Sequence, residues 1–547
     1  MSASEHAPVD RDSSKLFPFP DLFTPAAFPH AVRAVRLVET YISWILLTGE
    51  FAYKIKKPVR FDFLDAGTLE RRRELCEDEL RLNQRLAPDL YLRVAALTRD
   101  ASGVRVDGSG PIIEYAVCMR EFPARDVLDQ RLAQGTVLAR DLAAFGARLV
   151  DFHLRAAVAA ADNPYGGYDE VRHQVLGNLG TLISNPPGDE ALRSLTRLAD
   201  WSHSAVAALE PLIRLRKDSG AVRECHGDLH ARNLVFWRGE LTPFDCLEFS
   251  PALRWIDVVS DVAFLFMDLL AHERADLAFA FLNGYLEQGG DYEGLRLLRF
   301  YAVYRALVRA KVDALAVLSA APGVVAELRD HLRKRLQLAA RFLDPSQPAL
   351  IIMNGVTACG KTRVSAELAQ MLGAVRIRSD LERKRLTGTT PLSHRSFDVG
   401  RGDYDEASSN RTYARLAECA EAALASGYHV VVDAAFLDRG RRELFHAFAN
   451  ERHCPFLIVA CDAPRGLLHK RIAERAAAGN DASEATAAVL EHQLKSHDAL
   501  TAHELTHTIL VQTDVADSPA SAVAAARAWL ARAAPCRSAV GAAGATS

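Results

Sequence analysis

Residues 355–362 read Gly-Val-Thr-Ala-Cys-Gly-Lys-Thr, and they lie between a short apolar run and a pattern typical of a helix. The spacing matches the phosphate-binding P-loop, G-x-x-x-x-G-K-[ST], at both glycines, the lysine and the hydroxyl residue. In such a loop the glycines let backbone N–H groups turn toward phosphate oxygens, and the helix start adds positive potential. Because the motif needs a strand, a loop and a helix in succession, it predicts a parallel-sheet α/β fold for this part of the chain.

The residues of this loop have separate predicted roles. Lys361 is placed to reach the β- and γ-phosphates of ATP and to act in transfer, and Thr362 is placed to bind Mg²⁺. Cys359 has two interpretations, because a thiol at a helix N-terminus can have a lowered pKa and oxidise readily, whereas a small residue can simply fill space. The other predicted phosphate contacts are Gly355, Thr357, Ala358 and Gly360.

A different motif lies earlier in the chain, at 226–233, where the sequence reads His-Gly-Asp-Leu-His-Ala-Arg-Asn. It has the H-x-D-x-x-x-x-N spacing of a catalytic loop, in which the aspartate accepts the proton of a substrate hydroxyl. Asp228 is therefore the candidate base, and Asn233 is a candidate Mg²⁺ ligand. A predicted hairpin after Asn233 returns Asp245 beside it, where a carboxylate and an amide oxygen can share a hard cation. The alternative is that Asp228 and Asn233 only form a turn.

The lysine that pairs ATP phosphates is predicted on the strand Phe51-Ala-Tyr-Lys-Ile-Lys-Lys-Pro58. Lys54 shares a strand face with Ala52, as the Ala and Lys of V-A-I-K do, and Lys56 is a rival on the same face. The helix that follows offers a glutamate for the supporting ion pair. Glu79 is preferred over Glu74 and Glu77, because it begins the apolar stretch nearest the end of that helix. Met119, at the end of this region, is the candidate hinge that holds adenine.

Four further residues of the first half are candidates for the first site, although no motif contains them. Asp257 and Asp261 precede or open an apolar helix, where they would cap it or brace the catalytic loop. Arg305 and Arg309 share a helix face and could meet an anionic substrate. A solvated face or a structural ion pair is the alternative for both arginines.

Two carboxylates and two arginines complete the predicted second site. Asp380 is predicted at the end of a strand beside the phosphates, as a base or a hydroxyl-binding group. Asp433 ends the apolar strand from Tyr428 and is placed like a Walker B aspartate, near the metal. Arg471 and Arg475 share a helix face and predict a lid over the phosphates, with surface charge as the alternative.

Composition excludes several classes of protein. The chain has 547 residues, 49% hydrophobic and 25% charged, with a net charge of -3, so neither nucleic acid nor an anionic membrane is a favoured partner. Nine cysteines without a C-x-x-C pair indicate neither a zinc site nor a disulfide framework, which predicts a cytoplasmic protein. No apolar run approaches the ~20 residues needed to cross a bilayer. Oligomeric state is left open.

Both motifs together predict two domains. We expect a flexible arm at 1–31, a kinase-like domain at 32–343, a proline-containing linker at 344–348, a P-loop kinase domain at 349–533 and a disordered tail at 534–547. The predicted fold class is a two-lobed protein-kinase-like domain of α+β type, followed by a P-loop NTPase domain of α/β type.

The motifs of the first half resemble those of aminoglycoside phosphotransferases and their choline- and sugar-kinase relatives. The likeness rests on 226–233, Asp245 and the Ala52/Lys54 strand, and it implies transfer of the ATP γ-phosphoryl group to a small-molecule hydroxyl. Two features depart from protein kinases. Thr40-Tyr-Ile-Ser-Trp44 stands where a glycine-rich loop is expected, and Asp245 is followed by Cys-Leu rather than Phe-Gly, with no A-P-E segment.

The second half resembles the small P-loop kinases, including gluconate kinase, the chloramphenicol phosphotransferase type, zeta toxins and polynucleotide kinase ends. The pairing of both halves resembles bacterial proteins described as bifunctional aminoglycoside phosphotransferase/ATP-binding proteins. We therefore predict a phosphotransferase that uses ATP and Mg²⁺ at two sites and acts on a small molecule. Two alternatives stay open: one domain senses nucleotide and regulates the other, or the P-loop domain acts on a macromolecule.

Overall fold

The structure is a computed structural model that describes residues 17–61, 64–184, 189–319, 323–344, 347–388, 406–478 and 486–533. The chain forms two compact units, and neither is continuous in sequence. The first consists of 1–273 and 297–343, and the second consists of 274–296 and 344–547. The predicted boundary near residue 344 is thus one of three points at which the chain passes between units, and the segment 274–296 was not anticipated.

The first unit begins with a small lobe built on an antiparallel sheet of six strands, in the order β1-β2-β3-β8-β6-β7. One helix, α1 (Leu69–Gln84), packs against it, and it starts where the Thr68 side chain accepts a hydrogen bond from the Arg71 N–H. The strands of the lobe are β1 (Arg36–Glu39), β2 (Ser43–Leu47), β3 (Phe51–Lys56), β4 (Arg60–Phe61), β5 (Leu64–Asp65), β6 (Tyr91–Asp100), β7 (Gly103–Val106) and β8 (Ile112–Arg120).

The predicted flexible arm is wrong for the part of it that the structure describes. Phe17, Leu22 and Phe28 are buried against the sheet, in the same cluster as Trp44 and Tyr53. Short 3-10 turns at Pro20–Phe23 and Pro25–Ala27 place these rings. A polar, proline-rich composition masked aromatic residues that stabilise the lobe by burial. Residues 1–16 lie outside the described part of the chain.

The rest of the first unit is mostly helical, as the sequence predicts for this region. Its helices are α2 (Leu128–Ala133), α3 (Ala139–Arg155), α4 (Tyr168–Ser184), α5 (Asp189–Ala208), α6 (Glu210–Asp218), α7 (Pro251–Arg254) and α8 (Val258–Ala271), and, after α9 (Ala275–Gly289) of the second unit, α10 (Leu295–Ser319) and α11 (Val325–Arg341). Two short antiparallel pairs carry the catalytic motif: β9 (Val222–Glu224) with β12 (Trp255–Asp257), and β10 (Leu234–Trp237) with β11 (Glu240–Pro243).

The second unit is built on a parallel sheet of five strands in the order β14-β15-β13-β16-β17. Its inner strands are continuous apolar runs because helices cover both faces of a parallel sheet. The strands are β13 (Leu350–Asn354), β14 (Ala374–Arg378), β15 (His429–Asp433), β16 (Phe456–Asp462) and β17 (Thr508–Gln512). The helices are α12 (Lys361–Leu372), α13 (Ser379–Leu386), α14 (Glu406–Ala425), α15 (Arg439–Glu451), α16 (Arg465–Ala478), α17 (Ala487–Ser496), α18 (Ala502–Leu505) and α19 (Ser518–Ala533).

These two architectures confirm the predicted fold class. Among the described residues, no helix is long and apolar enough to cross a membrane. One local prediction is wrong: Asp380 does not end a strand. β14 stops at Arg378, and Asp380 lies in the first turn of α13. A carboxylate suits that position because it faces the positive end of the helix dipole.

Candidate active sites

Two buried lysines and a buried glutamate form the centre of the first site. β3 places Lys54 and Lys56 on one face of the sheet, because alternate residues of a strand point the same way. Nζ of Lys54 lies 2.8 Å from Oε1 of Glu79 and 2.5 Å from Oδ1 of Asp245. Lys56 contacts the other oxygen of Glu79 and also contacts Glu248. Glu79 therefore joins both lysines, and it is Lys54 that reaches Asp245.

Burial and ion pairing act against each other in this cluster. Burial lowers the pKa of Lys54, but Asp245 and Glu79 outweigh it and raise that pKa well above its ordinary value. Burial likewise raises the pKa of Glu79, but Lys54 and then Lys56 bring it down to about 2. Both partners are thus ionised at neutral pH, and the cluster is a fixed set of charges rather than a proton relay.

The other two glutamates considered for this ion pair do not reach the site. Glu74 and Glu77 lie on the exposed face of α1, where they pair with Arg71 and Arg73. Glu79 is fully buried on the opposite side of the helix. The structure thus brings Lys54, Glu79 and Asp245 together, as the sequence predicts.

The catalytic loop is held in place by Asp261, near the start of α8. Its carboxylate accepts hydrogen bonds from the backbone N–H of His226 at 3.0 Å and of Gly227 at 2.9 Å. Gly227 has φ = 85°, and a Cβ on it would lie 2.8 Å from the carbonyl oxygen of Leu253. Of the two roles considered for this acidic pair, Asp257 caps α8 through the Val259 N–H, and Asp261 braces the loop.

His226 ties the loop to the returning hairpin. Its Nε2 lies 3.0 Å from the carbonyl oxygen of Phe244, and its Nδ1 lies 3.3 Å from the backbone nitrogen of Asp228. A carbonyl can only accept and a backbone N–H can only donate, so Nε2 carries the proton and Nδ1 does not. Burial lowers the pKa of His226, which agrees with this neutral form. The side chain acts here as a spacer that sets the distance between loop and hairpin.

Asp228 and Asn233 contact each other at the tip of the loop. Nδ2 of Asn233 donates to both the backbone oxygen and Oδ2 of Asp228, at 3.0 Å in each case. Burial raises the pKa of Asp228, but the nearby His230 outweighs it and holds that pKa well below its usual range. Asp228 is therefore a carboxylate at neutral pH, which is the form that can accept a proton.

Asn233 also provides a test of the predicted metal site. Its Oδ1 is buried and has no hydrogen-bond partner among the described residues. A buried polar atom without a partner is costly, and an amide oxygen is a donor type that Mg²⁺ accepts. The Phe244 N–H donates to the Asn233 carbonyl oxygen at 3.0 Å, which holds the chain next to Asp245 at Asn233. The residues present thus fit a hard cation, with Asn233 and Asp245 as its protein ligands.

Asp245 follows the β10–β11 hairpin in an uncommon backbone conformation. Its φ is 61°, in the left-handed region, and its N–H donates to the Tyr91 hydroxyl at 3.0 Å. Such conformations in residues other than glycine are concentrated at functional sites, where surrounding contacts maintain them. The turn aims the carboxylate back at Lys54.

The predicted hinge residue lies in an apolar cluster next to this site. Met119, near the end of β8, is buried with Ala52 of β3 and Val235 of β10, and Trp237 and Phe244 pack against them. Apolar residues from both lobes suit the flat ring of an adenine. The position agrees with the predicted role of Met119, which stays a prediction.

In the second unit, the P-loop connects β13 to α12, and both of its glycines have positive φ. Gly355 has φ = 139°, and a Cβ on it would lie 2.4 Å from the carbonyl oxygen of Cys461 and 2.6 Å from Sγ of Cys359. Gly360, with φ = 94°, starts the helix. Cys359 is fully buried, which agrees with the small-filler interpretation of its side chain.

The polar atoms of the P-loop are already engaged. Nζ of Lys361 donates to the carbonyl oxygens of Gly355 and Val356, at 2.8 Å each. The N–H of Thr357 donates to Oε1 of Gln493 at 2.7 Å. Because its ammonium group binds these two carbonyl oxygens, the side chain of Lys361 is folded back over the loop.

The other predicted phosphate contacts lie where the sequence places them. Ala358 lies in the loop with φ = 62°, and Thr362 lies at the start of α12.

Asp433 ends β15, and Asp380 lies in the first turn of α13, just after the neighbouring strand β14. Oδ2 of Asp433 accepts a hydrogen bond from the Ser365 hydroxyl of α12 at 2.8 Å, which ties β15 to the P-loop helix. Asp380 pairs with Arg378, its Oδ2 at 2.7 Å from the guanidinium. The guanidinium of Arg378 also lies 3.7 Å from a carboxylate oxygen of Glu287 on α9.

Of the two arginines predicted to form a lid, the structure describes the side chain of Arg471 but not that of Arg475. Arg471 donates to the carbonyl oxygen of Ala358 at 3.1 Å and to the carbonyl oxygen of Thr513 at 2.7 Å. It therefore contacts the P-loop itself, rather than lying on the surface. Arg475 lies in a part of α16 whose side chains are outside the described residues, and so does the segment 479–481.

Three contributors to these sites were missed in the sequence. Glu248 supports Lys56, Thr513 donates to the carbonyl oxygen of Cys359 at 2.6 Å, and Glu287 pairs with Arg376 at 2.6 Å as well as with Arg378. None of the three belongs to a short motif. The spacing of Glu248 from Asp245 is a signal that could have been used, whereas no local pattern marks the other two.

Comparison with known proteins adds to this geometry. An uncharacterized protein of Mycobacterium tuberculosis and one of Mycobacterium bovis are each 30% identical over 455 residues, which is 83% of this chain and 88% of theirs. The chain belongs to the family of these mycobacterial proteins. Within that family, residues 350–500 of this member match the model of the AAA domain. The predicted pairing of a kinase-like half with a P-loop kinase half is confirmed by this match and by the two folds.

Solved structures similar to this family member fall into two groups. Choline kinase from Cryptosporidium parvum is 11% identical, with a TM-score of 0.37, and the match covers 60% of this chain and 93% of that one. A gluconokinase from Sinorhizobium meliloti is 23% identical, with a TM-score of 0.25, and the match covers 35% of this chain and 95% of that one.

Proposed function

We propose that this chain is an ATP-dependent phosphotransferase with two separate Mg-ATP sites, and that a small molecule with a hydroxyl group is the acceptor at the first site. The observation that carries the proposal is the joint arrangement of Lys54, Glu79 and Asp245 on one side of the site and Asp228 with Asn233 on the other. A fixed cation, a pair of metal ligands and an ionised base are the parts that phosphoryl transfer to a hydroxyl needs.

At the first site, each side chain has one task. Lys54, held by Glu79, would neutralise the nonreacting phosphates. Asn233 and Asp245 would hold Mg²⁺, and the ion would supply positive charge for the transferred group. Asp228 accepts the proton of the acceptor hydroxyl. Its low pKa keeps it ionised, and Asn233 fixes its orientation by the hydrogen bond between them.

At the second site, Lys361 leaves the carbonyl oxygens of its own loop and pairs with the nucleotide phosphates. Thr362 and Asp433 would hold Mg²⁺, and Asp380 would orient or deprotonate the acceptor. The pairing of Asp380 with Arg378 supports this, because the ion pair fixes the carboxylate in the first turn of α13. The acceptor of this site is not specified by any of these contacts.

The test is a screen of the full-length protein with radiolabelled ATP against sugars, amino sugars, nucleosides and aminoglycosides. Asp228→Asn and Lys361→Ala then assign each product to a site. We expect transfer to at least one acceptor that the Asp228 variant loses and the Lys361 variant keeps. Transfer that survives both changes would contradict the proposal.

A sensor role for the first unit is the second candidate, and one observation favours it. The turn between β1 and β2, where a glycine-rich loop would cover the phosphates, is closed by Thr40: its N–H donates to the Ser43 carbonyl at 2.9 Å, and its hydroxyl accepts from the Ser43 N–H at 2.9 Å. Nucleotide binding at the first site without turnover would favour this role.

A further inference from the structure

Arg309 of α10 is a buried arginine for which the described residues provide no hydrogen-bond or ion-pair partner. Its side chain is among the buried charged residues, with 4% of the residue exposed, and its Nε has no hydrogen-bond partner. No ion pair or hydrogen bond joins it to any other residue in the described part of the chain. A buried charge is normally paired, because removing it from water costs several kcal/mol. The side chain therefore needs an explanation that its protein neighbours do not provide.

The position of Arg309 on α10 is next to the catalytic loop. Arg305, one helical turn earlier, donates to the carbonyl oxygen of Gly227 at 3.1 Å and to the Ser260 hydroxyl at 3.1 Å. Arg305 is thus the structural arginine of the pair. Burial lowers the pKa of Arg309, and Arg335 lowers it further, whereas Asp268 and Asp228 raise it. Arg309 is therefore close enough to Asp228 to interact with it electrostatically.

The acidic groups around Arg309 already have cationic or N–H partners. Asp268 accepts from the Ala231 N–H at 2.9 Å and lies 3.3 Å from the guanidinium of Arg335. Asp313 lies 3.5 Å from Nε of the same arginine. Asp228 is held by Asn233 and faces His230 at 3.5 Å. Each of these carboxylates thus has another partner, and none of them lies within ion-pair distance of the guanidinium of Arg309.

We propose that Arg309 binds an oxyanion, a carboxylate or a phosphate group, carried by the acceptor molecule of the first site. This rests on the proposed function, in which Asp228 receives the proton of the acceptor hydroxyl. Guanidinium is suited to the task because its planar N–H groups match the two oxygens of such an anion. The acceptor is then an acidic hydroxy compound, such as a sugar acid or a sugar phosphate, rather than a polycation.

The test uses the full-length protein in a Lys361→Ala background and three variants of α10 and α11. Arg309→Met removes the charge at similar length, Arg309→Lys keeps it, and Arg333→Met removes an exposed charge as a control. Acceptors are offered in matched pairs that differ in charge: glucose with gluconate and with glucose 6-phosphate, and glycerol with glycerate. An aminoglycoside represents polycations.

We expect the wild-type site to prefer the anionic member of a pair. In Arg309→Met, KM for that acceptor should rise by roughly 10- to 100-fold, the range for a hydrogen bond to a charged group, with KM for ATP unchanged and partial recovery in Arg309→Lys. The melting temperature without ligand should stay the same or rise, because an unpaired buried charge is replaced by an apolar chain. A structural ion pair predicts the opposite, a fall.

Four outcomes would overturn the inference. The first is that the wild type prefers neutral or cationic acceptors. The second is an unchanged KM for the anionic acceptor in Arg309→Met, and the third is an equal loss of transfer to all acceptors in that variant, which would place Arg309 on the nucleotide. The fourth is a lowered melting temperature of Arg309→Met. If the wild type transfers phosphate to no acceptor, the proposed function fails instead. Calorimetric binding of glucose 6-phosphate in the presence of saturating Mg²⁺ and a non-hydrolysable ATP analogue then decides the role of Arg309.

Discussion

Nζ of Lys54 lies 2.5 Å from Oδ1 of Asp245, although 191 residues separate them in the chain. The contact joins the proposed phosphate-binding lysine on β3 to a proposed metal ligand that follows β11. Since Glu79 holds the same ammonium group from the other side, the position of the cation is set before any nucleotide binds. The first site is therefore preorganised on its nucleotide side.

Asp228→Asn should reduce transfer at the first site by roughly 10²- to 10⁴-fold, the usual contribution of a positioned base. ATP affinity should be unchanged, because Asp228 contacts the acceptor side. Rates with the acceptor identified by the screen, and calorimetric titration with an ATP analogue, check both parts. Asp89→Asn, at an exposed aspartate, is the matched control. If Asp228→Asn transfers phosphate at the wild-type rate, Asp228 is not the base.

Glu79→Gln should destabilise the first unit by about 3–5 kcal/mol, because it leaves two buried lysines without their shared partner. The pKa of Glu79 is lowered from 4.5 to about 2 in the folded state. A lowered folded-state pKa means that its stabilisation is complete above pH 4.5 and is lost as the pH falls toward 2. Urea unfolding between pH 2 and 7 checks this, with exposed Glu77→Gln as the control. If the free energy of unfolding falls in the same way below pH 4.5 in both variants, the lowered pKa does not belong to Glu79.

Lys361→Ala with Thr362→Ala should reduce the number of ATP equivalents bound per chain from two to one. The lysine is the cation that the P-loop directs at the phosphates, and the threonine is the predicted metal ligand of the same site. Calorimetry with a non-hydrolysable analogue measures the stoichiometry. If the wild type binds one equivalent and the variant binds none, the first unit does not hold nucleotide.

Glu287→Gln should lower transfer at the second site, with a larger effect on kcat than on KM for ATP. Its carboxylate pairs with Arg376 and Arg378, and Arg378 in turn orients Asp380. Without the ion pair between Glu287 and Arg378, we expect Arg378 and the Asp380 bound to it to move away from the P-loop. Glu293→Gln changes an exposed glutamate of the same segment and should have no effect. Equal kinetics for both variants would show that Glu287 has no positioning role.

Sequence alone predicted the parts of these sites that lie in short motifs. The P-loop, the loop at 226–233 and the lysine strand were placed correctly, because their chemistry fixes residue types at fixed spacing. Glu79 was preferred because it begins the apolar stretch nearest the end of α1, and in the structure it is Glu79, rather than Glu74 or Glu77, that contacts Lys54.

Contacts between distant parts of the chain were not predictable in this way. Glu287 meets Arg376 across 89 residues. For Asp261 the sequence left helix capping and loop bracing open, and only the structure shows that it binds a loop 35 residues earlier. Neither residue type nor local pattern encodes such a meeting, because it depends on how helices and strands pack. The buried aromatic residues from Phe17 to Phe28 were missed for the same reason, since their composition is that of a loop.

The segment 274–296 has a practical consequence for dissecting this protein. α9 contributes Asn283, which binds backbone groups at both Ala374 and Arg376, and it packs on the P-loop helix α12. A chain cut at residue 344 would therefore separate the second unit from one of its own helices and leave that helix attached to the wrong fragment. Limited proteolysis in the linker should nick the protein without releasing two independent halves, and subcloning at that position should yield fragments that must be mixed to regain a folded P-loop unit.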